Sequence, residues 1–241
     1  MKIFLKSKFF KINCEENIYK ELQRNKYNVY TLSILSILNR AVEEIALSPL
    51  DIYRMFNKRG QPTRNDIKQI KNSIETLSQM NIISYEIFDK KYIISINDLN
   101  VIETNPKSEY YEPFFVLETD LLYNMMKEKD GIDLIQHYIL LISTINNKSE
   151  YGFTSQKKFS QVTGISRNTI SKYRKRLEEI EILKFESMSD EELKSLNIII
   201  DKEKNKDFTL YKYYMCDYRT KQQEEYERKL AEKNGNEEIP F

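Results

Sequence analysis

The stretch QKKFSQVTGISRNTISKYRK, Gln156–Lys175, reads as two helices joined by a tight turn. Gly164 falls where such a turn needs a residue at ease with positive φ, and Ser160 is small where the helices would cross. Phe159, Ile165, Ile170 and Tyr173 recur on the face that would meet a core. From Lys157 to Arg176 the charged side chains are Lys157, Lys158, Arg167, Lys172, Arg174, Lys175 and Arg176, with no acid among them; the sign changes at Glu178. A solvated helix face normally mixes signs, because like charges at helical spacing repel. A phosphate backbone converts that repulsion into attraction through released counterions.

A helix beginning at Ser166 would aim its first turns at a major groove while its apolar stripe faces the domain. That assigns Arg167, Asn168, Ser171, Lys172 and Lys175 to base edges or adjacent phosphates. Arg pairs bidentately with guanine and Asn with adenine, so Arg167 and Asn168 are the expected readers of sequence. Lys157, Lys158, Arg174 and Arg176 are expected to hold the backbone. The plain alternative is a structural helical hairpin, a shape that protein-interaction modules also use.

Working outward, this stretch has an echo. TRNDIKQIKNSIETL from Thr63 answers SRNTISKYRKRLEEI from Ser166, LSILSILN (32–39) answers ILLISTIN (139–146), and FFKINCEENIYKEL from Phe9 answers FFVLETDLLYNMM from Phe114. Within each copy the order reads as a short strand, helices, a turn, a further helix and then β-rich segments. In the first copy Ser48 suits an N-cap and Pro49 the first helical position. Gly60 and Pro62 mark a turn, and a helix from Thr63 carries the stripe Ile67, Ile70, Ile74 and Leu77. The second copy repeats the spacing with Ile170, Tyr173, Leu177 and Ile180.

The runs IISYEIF and KYIISI predict a hairpin turning at Asp89 and Lys90. In the second copy ILKFE, NIII and FTLYKYYM are the corresponding β-rich runs. Helix, turn, helix and hairpin make the winged-helix plan. The expected fold is therefore α+β: two tandem winged-helix domains related by internal duplication. Their expected limits are 1–103 and 114–216, with a linker at 104–113 and a charged helix or linker at 217–241. The first copy supplies Arg64, Asn65, Lys68, Gln69 and Asn72 as matching DNA contacts, Lys58 and Arg59 just before them, and Lys90 and Lys91 at the wing tip. For the lysines at the turn, ordinary solvated charge is the competing reading.

Bulk features narrow the class. Net charge is +1 with 31% charged residues, so arrangement and not total charge decides nucleic-acid binding. Cys14 and Cys216 have no CxxC or His partner nearby, which argues against a disulfide scaffold or zinc site and for a reducing, cytoplasmic setting. No run reaches the roughly 18 apolar residues of a membrane span. There is no Walker loop, HExxH, GxSxG or Gly-rich carboxylate set, so neither enzymatic activity nor a cofactor or metal is expected. His137, the only histidine, lies in the apolar run LIQHYILL and is expected as a satisfied core or interface residue.

The paired TRNDI and SRNTI helices, over roughly residues 9–216, resemble the tandem winged-helix replication initiators of plasmids and related phage proteins. That resemblance implies binding of double-stranded origin DNA, autogenous repression and exchange between homodimer and monomer. The last five residues, EEIPF, resemble the acidic tip of bacterial single-stranded DNA-binding proteins. Glu237 and Glu238 would meet a basic rim, while Ile239, Pro240 and Phe241 would enter an apolar pocket of a host replication protein. The tip here has fewer acids than that family carries and no Gly/Gln-rich linker before it. A transcriptional repressor or regulator, and a protein-interaction module that organises a replisome, remain as alternatives.

Overall fold

From the N-terminus the chain runs β1 (Lys2–Lys6), α1 (Lys20–Arg24), α2 (Lys26–Leu38), β2 (Glu44–Leu47), α3 (Pro49–Arg54), α4 (Arg64–Gln79), β3 (Ile83–Phe88) and β4 (Lys91–Ile96). A second run follows: β5 (Phe114–Glu118), α5 (Thr119–Met126), α6 (Gly131–Ile142), β6 (Gly152–Ser155), α7 (Gln156–Thr163), α8 (Arg167–Glu179), β7 (Leu183–Ser187), α9 (Asp190–Ser195) and β8 (Leu210–Met215). The computed structural model describes residues 2–6, 9–10, 20–39, 44–55, 61–97, 114–145, 152–195 and 210–215. The expected linker at 104–113, the tail at 217–241 and the run NIII lie outside the described residues, as do Cys14 and Cys216. The fold is mixed helix and antiparallel strand. Apart from α9, both runs use the same order of element types.

The centre is built by α2 and α6, which pack on each other. Both are buried on nearly every side, the small or polar residues Asn28, Thr31, Ser33, Ser36, Gln136 and His137 included. Residues Tyr27 to Ser36 of α2 are all buried, and the Ser33 and Ser36 hydroxyls donate back to the Val29 and Leu32 carbonyls at 2.8 Å. Those bonds satisfy polar groups that would otherwise oppose burial. Near the helix starts, Lys26 of α2 meets Asp133 of α6 at 2.5 Å.

The two runs are joined by more than these helices. Strand β1 pairs antiparallel with β5, Phe4 opposite Val116. Arg24 Nε donates to the Val162 carbonyl at 3.2 Å, and Gln136 Nε2 to that of Gln23 at 2.6 Å. By element order Lys2–Lys6 stands where Phe114–Glu118 does in the second run, whereas the sequence echo sets Phe9 against Phe114. Phe9 and Phe10 lie buried in a turn, where their carbonyls accept from Gln23 Nε2 at 3.1 Å and Ser143 Oγ at 3.0 Å.

Two three-stranded antiparallel sheets have matching strand orders, β2-β4-β3 and β6-β8-β7. The expected β3–β4 hairpin is present. Asp89 (φ 46°) and Lys90 (φ 62°) both take positive φ, the two-residue turn whose twist suits paired strands even without glycine. In the second run α9 separates β7 from β8, so no tight hairpin forms between them.

Helices α4 and α8 end alike. The Ile82 amide bonds the Leu77 carbonyl at 3.0 Å and the Ile182 amide that of Leu177 at 2.9 Å, with Asn81 and Glu181 left-handed between them. This is a Schellman closure, and it seats Ile82 and Ile182 in the core beside the strand that follows. Matched at these ends, Ile70 corresponds to Ile170, Ile74 to Arg174 and Leu77 to Leu177. Helix α4 has 16 residues and α8 has 13, so the additional residues of α4 lie at its N-terminal end.

Candidate nucleic-acid interface

Ser155 caps α7 by accepting from the Lys158 amide, and Gly164 closes the helix in the left-handed region at φ 75°. Ser166 then caps α8 by accepting from the Thr169 amide at 3.2 Å. Phe159, Ile170, Tyr173 and Leu177 are buried and Ile165 packs against the core, leaving Arg167, Asn168, Ser171, Lys172 and Lys175 exposed. Gln156 Nε2 donates to Ser171 Oγ at 3.0 Å, tying α7 to the exposed face of α8. Lys157 and Lys158 are exposed, and neither they nor Arg167 form an ion pair among the described residues.

The first run presents a comparable end. Thr63 and Asp66 form a capping box, the Asp66 carboxylate accepting from the Thr63 amide at 2.7 Å. Tyr27 of α2 also donates its hydroxyl to Asp66, anchoring the start of α4 on the central helix. Burial of Asp66 opposes its ionisation, but hydrogen bonds from Tyr27 and Thr63 outweigh that and hold its carboxyl below the usual range. Arg64, Asn65, Lys68 and Asn72 are exposed and Gln69 is half-buried. Lys90 and Lys91 are exposed at the hairpin, whereas Lys58 and Arg59 lie outside the described residues, as do Glu237, Glu238, Ile239, Pro240 and Phe241.

Arg174 requires correction. Only 4% exposed, it occupies the core position corresponding to Ile74 and stacks its guanidinium 5.4 Å from the Phe185 ring centre. It is not placed to hold a phosphate backbone. Beside it, His137 is fully buried, its ring 4.6 Å from that of Phe159 and 5.8 Å from that of Tyr173. Among the described residues neither imidazole nitrogen has a hydrogen-bond partner, so the core position was expected but its satisfaction was not met. Burial first, and then the Arg174 charge, push the imidazole well below its usual range.

The cationic run is also less free than its sequence implies. The loop between α5 and α6 brings Asp130 to Lys172 at 2.5 Å and Glu128 to Arg176 at 2.6 Å. Arg176 additionally meets Glu179 at 2.9 Å, and Lys175 lies 4.0 Å from Glu179. A hydrogen bond from Lys172, opposed by slight burial, holds the Asp130 carboxyl below its usual range. These groups line a groove of about 290 Å³ along α8. Arg176, expected on the phosphate backbone, is thus already bound to carboxylates.

Glu179, at local helical spacing from Lys175 and Arg176, was legible. Sequence reading missed Glu128 and Asp130 because their contacts with α8 span more than 40 residues and no local pattern encodes them. It also missed Ile87 and Phe88, which are 63% and 73% exposed. The signal existed: Phe88 alternates with Ser84 and Glu86, placing an aromatic ring on the strand's polar face. Among the described residues no cluster of His, Cys, Asp and Glu could hold a metal, and no helix is long and apolar enough to cross a membrane. Comparisons with protein-family models, curated proteins and solved structures find no match to this chain.

Proposed function

We propose that the chain is a non-enzymatic, sequence-specific double-stranded DNA-binding protein with two winged-helix units that arose by duplication. The observation that carries this reading is the doubled helix start. Both α4 and α8 open with a hydroxyl N-cap followed by exposed Arg and Asn, at the end of the helix that such folds direct into a major groove. The β1–β5 ladder and the Lys26–Asp133 pair supply a fixed connection between the units, which suits binding of successive groove segments about 10 bp apart.

A role in plasmid or phage replication initiation rests on the sequence resemblance, and recruitment of host proteins on the EEIPF tip. Selection of bound duplexes followed by titration tests the core reading. Arg167→Ala should weaken binding and relax sequence preference, while Lys157→Ala should weaken cognate and random duplex equally. Equal losses on both duplexes for both variants would refute the assignment.

The acids beside α8 favour one second reading, a protein-interaction module, because they reduce the cationic surface offered to phosphate. Absence of duplex affinity across a salt series would select it.

A further inference from the structure

The hairpin β3–β4 ends in two apolar side chains that nothing in the described fold covers. On its inner face Tyr85 and Tyr92 pack with ring centres 5.3 Å apart, and Tyr92 is buried. The core stops there. Ile87, opposite Tyr92, and Phe88, opposite Lys91, extend beyond it on the two faces of the ribbon. The turn at Asp89 and Lys90 has both residues at positive φ, which fixes its hand and keeps the tip narrow.

On the DNA-binding reading proposed above, we infer that this tip is a wedge that enters the minor groove beside the α4 site and unstacks one base step. Phe88 is the inserting ring, and Ile87 lies on the other face of the ribbon. Apolar wedges of this kind open base steps and kink the duplex, with flanking cations drawn to the groove's negative potential. The register supplies that combination, since Phe88 and Lys91 are cross-strand neighbours on one face and Lys90 adjoins them. Continuity fixes the occupant as DNA: β3 follows α4 directly through the Asn81–Ile82 closure, so the tip and the exposed Arg64–Asn72 face share one framework. A lipid surface or an apolar protein groove is matched less well by a tip carrying Asp89, Lys90 and Lys91 around two apolar groups.

Among the described residues the second unit has no equivalent. Matched through the helix closures, Ser187 and Met188 stand in the places of Ile87 and Phe88; Met188 is buried and α9 follows. The wedge at Phe88 therefore predicts an opened step on the α4 side of the site.

The chain contains no tryptophan, so Phe88→Trp installs a single indole reporter. The probe is a duplex recovered by selection with the wild-type chain and followed by anisotropy. Its binding should quench the indole emission and shield it from acrylamide. Wild type and Phe88→Trp should render thymine at one step reactive to permanganate. Phe88→Ala, whose melting temperature should match wild type, should lose that reactivity and about 5- to 160-fold in affinity. Unchanged affinity and an unchanged permanganate pattern in Phe88→Ala, or an indole equally open to acrylamide when bound, would overturn the wedge while leaving DNA binding intact. Failure of the wild-type chain to bind any duplex would overturn the DNA-binding reading and the wedge together.

Discussion

Replacing Asp130 with Asn should tighten DNA binding, although the residue touches no DNA in the proposed arrangement. Asp130 accepts from Lys172 Nζ at 2.5 Å, and Lys172 must leave that carboxylate before it can reach a phosphate. The lysine side chain is 67% exposed, so the pair is screened by solvent and contributes about 0.2–1 kcal/mol. Restoring that amount to binding corresponds to about a 1.4- to 5-fold gain in affinity. Because Lys172 reaches phosphate in both forms, the slope of log affinity against log salt should change by well under the roughly 0.9 of an added phosphate contact. Asn keeps the side-chain shape at the start of α6, where Asp130 makes no side-chain capping bond, so folding should change little. Fluorescence anisotropy with labelled cognate duplex, over roughly 50 to 200 mM salt, reads both quantities. Weaker or unchanged affinity with an unchanged melting temperature would show that this carboxylate does not compete with DNA.

Arg174→Met should leave DNA affinity and salt slope unchanged, because the guanidinium lies in the core beside Phe185; a loss equal to that of Lys175→Met would return Arg174 to the interface. His137 is neutral in the fold with its affinity for a proton depressed, so its stability contribution is complete above the unfolded-state value near 6.5 and is lost as pH falls below it. Melting temperature against pH should show that acid-side decline, at most about 1.4 kcal/mol per pH unit, and His137→Phe should remove it. Gly164→Ala meets no atom within 4 Å of the added Cβ, so its cost is the left-handed backbone alone. That is about 1–2 kcal/mol and lowers the melting temperature by about 2–4 °C for each kcal/mol; Gly164→Asn should lose less.

Local features of the fold were legible because their causes are local. Ser48, Thr63 and Ser166 cap helices where hydroxyl residues precede an apolar stripe, and Gly164 takes the positive φ that its turn demands. The hairpin at Asp89–Lys90 followed from two β-rich runs of compatible length. Strands β2 and β6 escaped notice because four residues give too short an alternation to detect. Arg174 was misread for a different reason. Helical spacing puts it one residue from the stripe member Tyr173, on the margin of the buried face, and a charged residue there is ordinarily solvent-bound. What turned it inward is a space bounded by Phe185 and the central helix α6, which depends on tertiary packing.

The mismatch between α4 and α8 has a consequence for how the two units could use one duplex. Aligned by their caps, the helices place Arg64 opposite Arg167; aligned by their C-terminal closures, they place Ile67 there. Both alignments preserve the buried stripe, since three residues are nearly one helical turn, and this is why the echo in sequence conceals the difference. Measured from the strand that follows, Arg64 is displaced about 4.5 Å further along its helix than Arg167. On the DNA-binding reading, a target read by both units must then place base contact and wing contact at unequal separations in its two parts. Those unequal separations would give the chain a direction on its site, and a perfectly symmetric target should bind less tightly than an asymmetric one of equal length.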